Sequence, residues 1–320
     1  MERIRIKEFM EKLAERIVEE LYNEVKIDMT EVLKNNSVRY HGLVISSPGS
    51  NVSPTIYVDG LFDDFIKGKD MDDIVWEIIN TYHNYNERVR DVEIEYSKWT
   101  QFENVKDQVF MKLINYNRNT ELLEKHPHVR YLDLAVTFHI NVENTMENQA
   151  SVKINYELMR RWGITTEKLY EFAKENTRKM FPLTVKPMSD VIFDLINSGN
   201  FDKNYEYEKT NEDFCGIVNE DNMVHKMFVM TNSCCVNGAV SLVYKEFIEE
   251  FAREQGCNIV MLPSSVHEVI CITNVDKEDY LHLIRMVNEV NAIHVMPEEV
   301  LSDNIYIYNK ETNVIEPFVD

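Results

Sequence analysis

Asn258-Ile259-Val260-Met261-Leu262-Pro263-Ser264-Ser265-Val266-His267-Glu268-Val269-Ile270-Cys271-Ile272-Thr273 is two short apolar runs hinged on Pro-Ser-Ser. Each run is too short for a helix, and a proline followed by two serines is turn chemistry. The stretch therefore predicts strands over 258–262 and 268–273. Immediately upstream, Tyr244, Phe247, Ile248, Phe251 and Ala252 fall on one helical face that Gly256 closes; glycine readily adopts the left-handed conformation in which helices end. Further upstream, 225–230 and 239–244 read as paired strands around the turn 232–238. Downstream, Asp276 caps a helix whose Tyr280, Leu283, Ile284 and Val287 face inward, and 304–308 predicts a last strand. This order gives antiparallel or mixed sheets with helices packed on one face, the α+β class.

The first half extends the same class. Phe9, Leu13, Ile17 and Leu21 recur every four residues beside Ile6, Met10 and Val18, predicting a long N-terminal amphipathic helix over 4–33. A strand follows at 38–45. Asp70 opens a helix in which Met71, Ile74, Val75, Ile78, Ile79 and Tyr82 share a face, and its carboxylate can accept from first-turn amides. Helical stretches are expected at 105–113 and 119–124, ended by Pro127. Alternation of Leu132, Leu134, Val136 and Phe138 predicts a strand over 131–142, with 151–156 as its hairpin partner. Thr165 reads as an N-cap, with Leu169, Phe172, Ala173 and Met180 on the buried stripe of the helix it starts; a shorter helix is expected at 188–197. From 199 to 223 the periodicity disappears and acidic residues outnumber basic ones. The expected organisation is an N-terminal α+β domain 1–198, an acidic linker 199–223 and a C-terminal α+β domain 224–320.

Fifty-five acidic residues against 34 basic give a net charge of −21. Nucleic-acid affinity rests on clustered Lys and Arg, and the densest basic run is the pair Arg160-Arg161, so no nucleic-acid partner is expected. No apolar stretch approaches the roughly 20 residues of a membrane span, so no membrane partner is expected either. The start of the chain lacks a signal-peptide core. Five cysteines (Cys215, Cys234, Cys235, Cys257 and Cys271) are sparse and odd in number. They read as reduced thiols, which with the missing export signal predicts a cytoplasmic protein.

The turn that opened this reading is also the first place to look for chemistry. Ser264, Ser265, His267 and Glu268 put two hydroxyls, an imidazole and a carboxylate within five residues, and a serine–histidine pair can serve as nucleophile and base. Neighbours in sequence diverge on an extended backbone, however, and no Gly-x-Ser-x-Gly elbow exists. Cys234-Cys235 lacks the spacing of a zinc site. Cys215 would need His225 or His267 to come to it in space. His126, His128 and His139 offer three imidazoles in a short stretch, but Pro127 reads as a helix terminator with His126 and His128 flanking it rather than as the centre of a ligand set. Asp59, Asp63, Asp64, Asp70, Asp72 and Asp73 do not follow the calcium-loop pattern. With no P-loop or dinucleotide fingerprint, neither cofactor nor metal is expected.

Several runs carry a resemblance: Asn51-Val52-Ser53-Pro54-Thr55-Ile56-Tyr57, Lys112-Leu113-Ile114-Asn115-Tyr116, Leu132-Asp133-Leu134-Ala135-Val136, Met261-Leu262-Pro263-Ser264-Ser265-Val266-His267-Glu268 and Glu298-Glu299-Val300-Leu301-Ser302-Asp303. Together they resemble a clostridial family known only as domain of unknown function 5688, over about residues 37 to 317. A fainter similarity, through Trp162-Gly163-Ile164-Thr165 and the stretch 238–290, is to the YtpQ-type family (domain of unknown function 1444) and implies a shared α+β core. Neither brings a catalytic residue. With no complete catalytic constellation, the expectation is a non-enzymatic binding or interaction protein for an unidentified protein or small molecule. Acidic surface and the first helix are its contacts, the helix also for homo-oligomer formation. The alternative is a hydrolase-type enzyme using Ser264, Ser265, His267 and Glu268.

Overall fold

The computed structural model describes residues 2–22, 24–48, 53–89, 99–144, 149–197 and 226–318. The chain divides into two compact units, Met1–Tyr96 and Ser97–Asp320. In the first, helix α1 (Glu2–Glu20) is followed by strands β1 (Lys26–Leu33), β2 (Arg39–Ser46) and β3 (Thr55–Tyr57), then helices α2 (Asp59–Ile66) and α3 (Met71–Val89). The three strands form one antiparallel sheet in the order β1-β2-β3. Phe9, Met10, Leu13 and Ile17 of α1 pack on Ile74, Val75, Ile78, Ile79 and Tyr82 of α3 and on Leu43 and Ile45 of β2. The apolar stripe of α1 is thus consumed within its own unit. Asp70 accepts from the amide of Asp72 at 2.8 Å, satisfying one free donor of the first turn of α3.

The first helix is shorter than 4–33. The four-residue spacing stops at Leu21, and the next run, Lys26–Leu33, is rich in β-branched residues and bonds along its whole length to Arg39–Ser46. The hairpin loop uses Asn36 and Ser37 in the left-handed region (φ 57° and 59°).

The second unit contains β4 (Val109–Asn115), α4 (Thr120–Leu123), β5 (His128–Tyr131), β6 (Leu134–Asn144), β7 (Gln149–Lys153), α5 (Tyr156–Trp162), α6 (Thr166–Met180), β8 (Leu183–Pro187) and α7 (Met188–Asn197). After residue 225 come β9 (Met227–Asn232), α8 (Lys245–Gln255), β10 (Ile259–Leu262), β11 (Val269–Thr273), α9 (Tyr280–Ile293), β12 (Tyr306–Asn309) and β13 (Val314–Pro317). A small antiparallel sheet has β6 at its centre, β4 on one edge, and β5 and β7 on the other. A six-stranded antiparallel sheet runs β13-β12-β10-β11-β9-β8. Alternate residues of its central strands serve two cores. Ile259, Met261, Val269 and Cys271 join the large core with Phe251 of α8, whereas Val260, Leu262 and Ile272 meet Leu283 and Val287 of α9. Thr165 caps α6 by accepting from Lys168 N, and Gly256 ends α8 at φ 72°.

Three expectations change here. Residues 105–113 are not one helix, because only Lys106–Gln108 form a 3-10 turn: Val105, Val109 and Leu113 imitate a helical repeat, but Val109, Met111 and Leu113 alternate into the large core while Phe110, Lys112 and Ile114 take the other face. Both faces are covered, which erases the polar alternation that marks a strand. Residues 239–244 are not a strand either. The segment Gly238–Val243 is a fully buried 3-10 helix, and β9 already bonds β11 on one side and β8 on the other, leaving no edge to join. Finally, the compact units do not divide at 199–223. Leu183–Pro187 pairs with Met227–Asn232, and Val109, Phe138 and Leu169 share one core with Phe228, Ile259 and Tyr306. Residues 198–225 themselves lie outside the described residues.

Helix α6 closes the outer edge of β4. Thr177 Oγ1 accepts from Met111 N at 2.8 Å, and Asn176 Nδ2 donates to the carbonyls of Lys106 (2.7 Å) and Val109 (3.0 Å).

Candidate functional site

The 264–268 turn is strapped to the segment before β12. Val266 N donates to Glu299 O, Leu301 N to Ser264 O and Ser302 N to Pro263 O, each at 2.9 Å. Ser264 is half-buried, whereas Ser265 is only 6% exposed, and its Oγ accepts from the backbone amide of His267 at 3.0 Å. The imidazole is engaged at both nitrogens. Nδ1 accepts from Asn237 N at 3.3 Å, so the ring proton sits on Nε2, which faces Glu299 Oε1 at 3.3 Å. Neither nitrogen is left to take a proton from a serine. Burial raises the Glu268 pKa, with His267 and a hydrogen bond from Ser265 opposing the shift. Gly238 is required where the turn meets β9: a Cβ there would lie 2.0 Å from Thr231 Oγ1 and 2.6 Å from His267 O.

A second polar cluster lies beside it, formed by residues too far apart in sequence to be foreseen. Asp133 sits in the two-residue turn between β5 and β6, where Leu132 adopts φ 55°, a strained value for a branched side chain. Its Oδ1 accepts from Tyr306 Oη at 2.5 Å; its Oδ2 accepts from Ser302 Oγ at 2.7 Å and Asn304 Nδ2 at 3.0 Å. Burial, then the neighbouring Asp133, holds the Tyr306 hydroxyl well above its ordinary range. Asn115 Nδ2 donates to Leu301 O, Arg118 pairs with Asp303 at 2.5 Å, and Asn291 Nδ2 donates to Ser302 O and Asp303 Oδ1. Four of the five runs that carry the family resemblance meet here, through Asn115, Asp133, Ser264 and Ser302. The acid within Leu132-Asp133-Leu134-Ala135-Val136 was the available signal, a charge set in an apolar run. Its oxygens are occupied by fixed donors, so the cluster ties the small sheet to the β12 segment.

The remaining candidates stay separate. Cys234 and Cys235 are exposed, Cys257 is half-buried, and burial pushes the Cys271 thiol up. Cys215 and His225 lie outside the described residues. His126 Nδ1 contacts Leu122 O at 2.7 Å, His128 Nδ1 contacts His126 O at 3.0 Å, and His139 Nε2 lies 3.2 Å from Thr137 Oγ1. In the aspartate run, Asp59 accepts from both the amide and the ring of His41 at 2.8 Å. Among the described residues, no three His, Cys, Asp or Glu side chains gather where a metal ion could be held. No helix among them is long and apolar enough to cross a membrane.

The first unit carries a concave surface of about 680 Å³ lined by Glu20, Leu21, Tyr22, Glu24, Trp76 and Tyr82 among others. Trp76 falls two residues from Ile74 and therefore points away from the buried stripe of α3; it is 57% exposed. Tyr22, at φ 52° in the turn that ends α1, is 86% exposed. Periodicity finds residues that face a core, so neither aromatic was visible to it. A family model described as "Family of unknown function (DUF5688)" matches residues 6–310, taking in α1, which the resemblance had left out. No curated protein and no solved structure matches the chain.

Proposed function

We propose that this chain, which belongs to the DUF5688 family, is a non-enzymatic cytoplasmic binding protein that holds a cationic partner in the groove of its first unit. The observation that carries the reading is the exposed pair Tyr22 and Trp76 beside Glu20 and Glu24. Aromatic faces attract ammonium and guanidinium groups, by about 0.5–1 kcal/mol each at exposed sites. Carboxylates on the rim add charge, and a net charge of −21 steers basic groups toward the surface. A basic protein segment or a small organic cation is the expected partner.

The test is tryptophan fluorescence during titration with a short arginine-rich peptide. Quenching that saturates, and that Trp76→Ala and Glu20→Gln each weaken, supports the reading. An unchanged signal in the native chain removes it. The competing reading is a hydrolase acting through Ser264, Ser265, His267 and Glu268. The raised proton affinity of Glu268 beside Ser265 favours it; occupation of both His267 nitrogens opposes it. Ester hydrolysis that vanishes in both Ser265→Ala and His267→Ala would establish that alternative.

A further inference from the structure

Lys112 stands at the middle of β4, between Met111 and Leu113, whose side chains enter the large core. Its own side chain leaves on the opposite face, beside Phe110 and Ile114 and across from Thr137. That face is covered as well: Phe110 packs on Phe181 (5.3 Å) and on His139 (5.6 Å), and Thr137 and His139 are buried. Lys112 passes 5.5 Å from the centre of the Phe110 ring and reaches across β6 to donate to Ser151 Oγ on β7 at 3.1 Å. An ammonium group has three donors, and burying it without an opposite charge is costly.

Among the described residues, basic groups gather on this face. Lys153 lies opposite His139 in the β6–β7 ladder, and Lys112, Lys153 and His126 all act on His139. Burial first, then these three, holds the His139 ring well below its ordinary range. His126 is likewise lowered, by burial first. Burial alone lowers the Lys112 amine to about 8. Other lysines of the unit behave differently: Lys106, Lys168, Lys179 and Lys186 each hold a carboxylate within 3.2 Å. In a chain with 55 acids and 34 bases, a half-buried lysine whose described contacts are a hydroxyl and a ring runs against the composition.

We propose that Lys112 and Ser151 form a binding site for a small phosphate-type oxyanion on this face of the β4-β6-β7 sheet. The anion supplies the charge that Lys112 lacks. Lys112 Nζ keeps two donors beyond the one directed at Ser151, and the Ser151 hydroxyl, accepting from Lys112, keeps its own proton to donate. Free phosphate and a phosphate monoester share this chemistry. The site is separate from the groove of the first unit and stands or falls without it.

Calorimetric titration of the full chain with inorganic phosphate, at fixed ionic strength and neutral pH, tests the site. Binding should weaken at least about tenfold in Lys112→Met and severalfold in Ser151→Ala, and stay unchanged in Lys168→Met, which removes a surface lysine paired with Glu171. Phosphate should also raise the titration midpoint of the Lys112 side chain followed by NMR in the native chain, a readout that needs no variant. A parallel titration with methyl phosphate names the source, since tighter binding of the ester points to an esterified ligand. No heat with either anion, equal binding in Lys112→Met, or equal weakening in Lys168→Met would overturn the site.

Discussion

Asp133 and Lys112 occupy the same small sheet and have opposite fates. Asp133, at the β5–β6 turn, collects a tyrosine hydroxyl, a serine hydroxyl and an asparagine amide on its two oxygens. Lys112, on β4, has among the described residues one serine hydroxyl and the ring of Phe110. A half-buried charge surrounded by fixed donors has become a structural joint, and its removal strands its partners. A half-buried charge with no fixed opposite charge beside it costs stability in the empty protein, and an arriving ligand can recover that cost.

The largest break in this contrast should come from Asp133→Ala. It leaves Tyr306 Oη and Ser302 Oγ with no acceptor in an interior site and should cost about 3 kcal/mol, read as a lower urea midpoint at unchanged slope. A loss near zero would mean the joint is ornamental. Lys112→Met should move the other way, gaining about 1 kcal/mol at neutral pH because a half-buried ammonium is replaced by a chain of similar shape. The pH profile sharpens it. The folded-state amine titrates near 8 and the unfolded one near 10.5, so between these values the unfolded chain holds more protons. Native stability should therefore rise with pH across that window, and the advantage of Lys112→Met should fade over the same range. Smallest of all, Ser151→Ala without phosphate should shift stability by less than about 0.5 kcal/mol, because it removes a half-buried hydroxyl that holds nothing else.

These two side chains also mark how far the sequence could be read. Helix α3, the Thr165 cap and the Gly256 stop were legible because each is a local pattern with a local cause. β4 was not, because burial on both faces removes the alternation that betrays a strand, and with β4 misassigned Lys112 had no face to be placed on. The 264–268 turn was legible as a turn. Its chemistry was not: the partners that occupy His267 are Asn237 and Glu299, one on each side in the chain, and only the fold brings them together. Asp133 was visible as a charge in an apolar run, but its partners Ser302, Asn304 and Tyr306 lie beyond any local window.

Thr177 and Asn176 have a further consequence for the chain in a crowded solution. An exposed outer strand offers a row of amides and carbonyls to which another polypeptide can zip, the first step of fibre growth. On β4 the amide of Met111 and the carbonyl of Val109 are already taken by two side chains of a helix, which cannot itself be extended by a further strand. That helix works as a selvedge, the finished border that keeps a woven cloth from unravelling or catching on its neighbour.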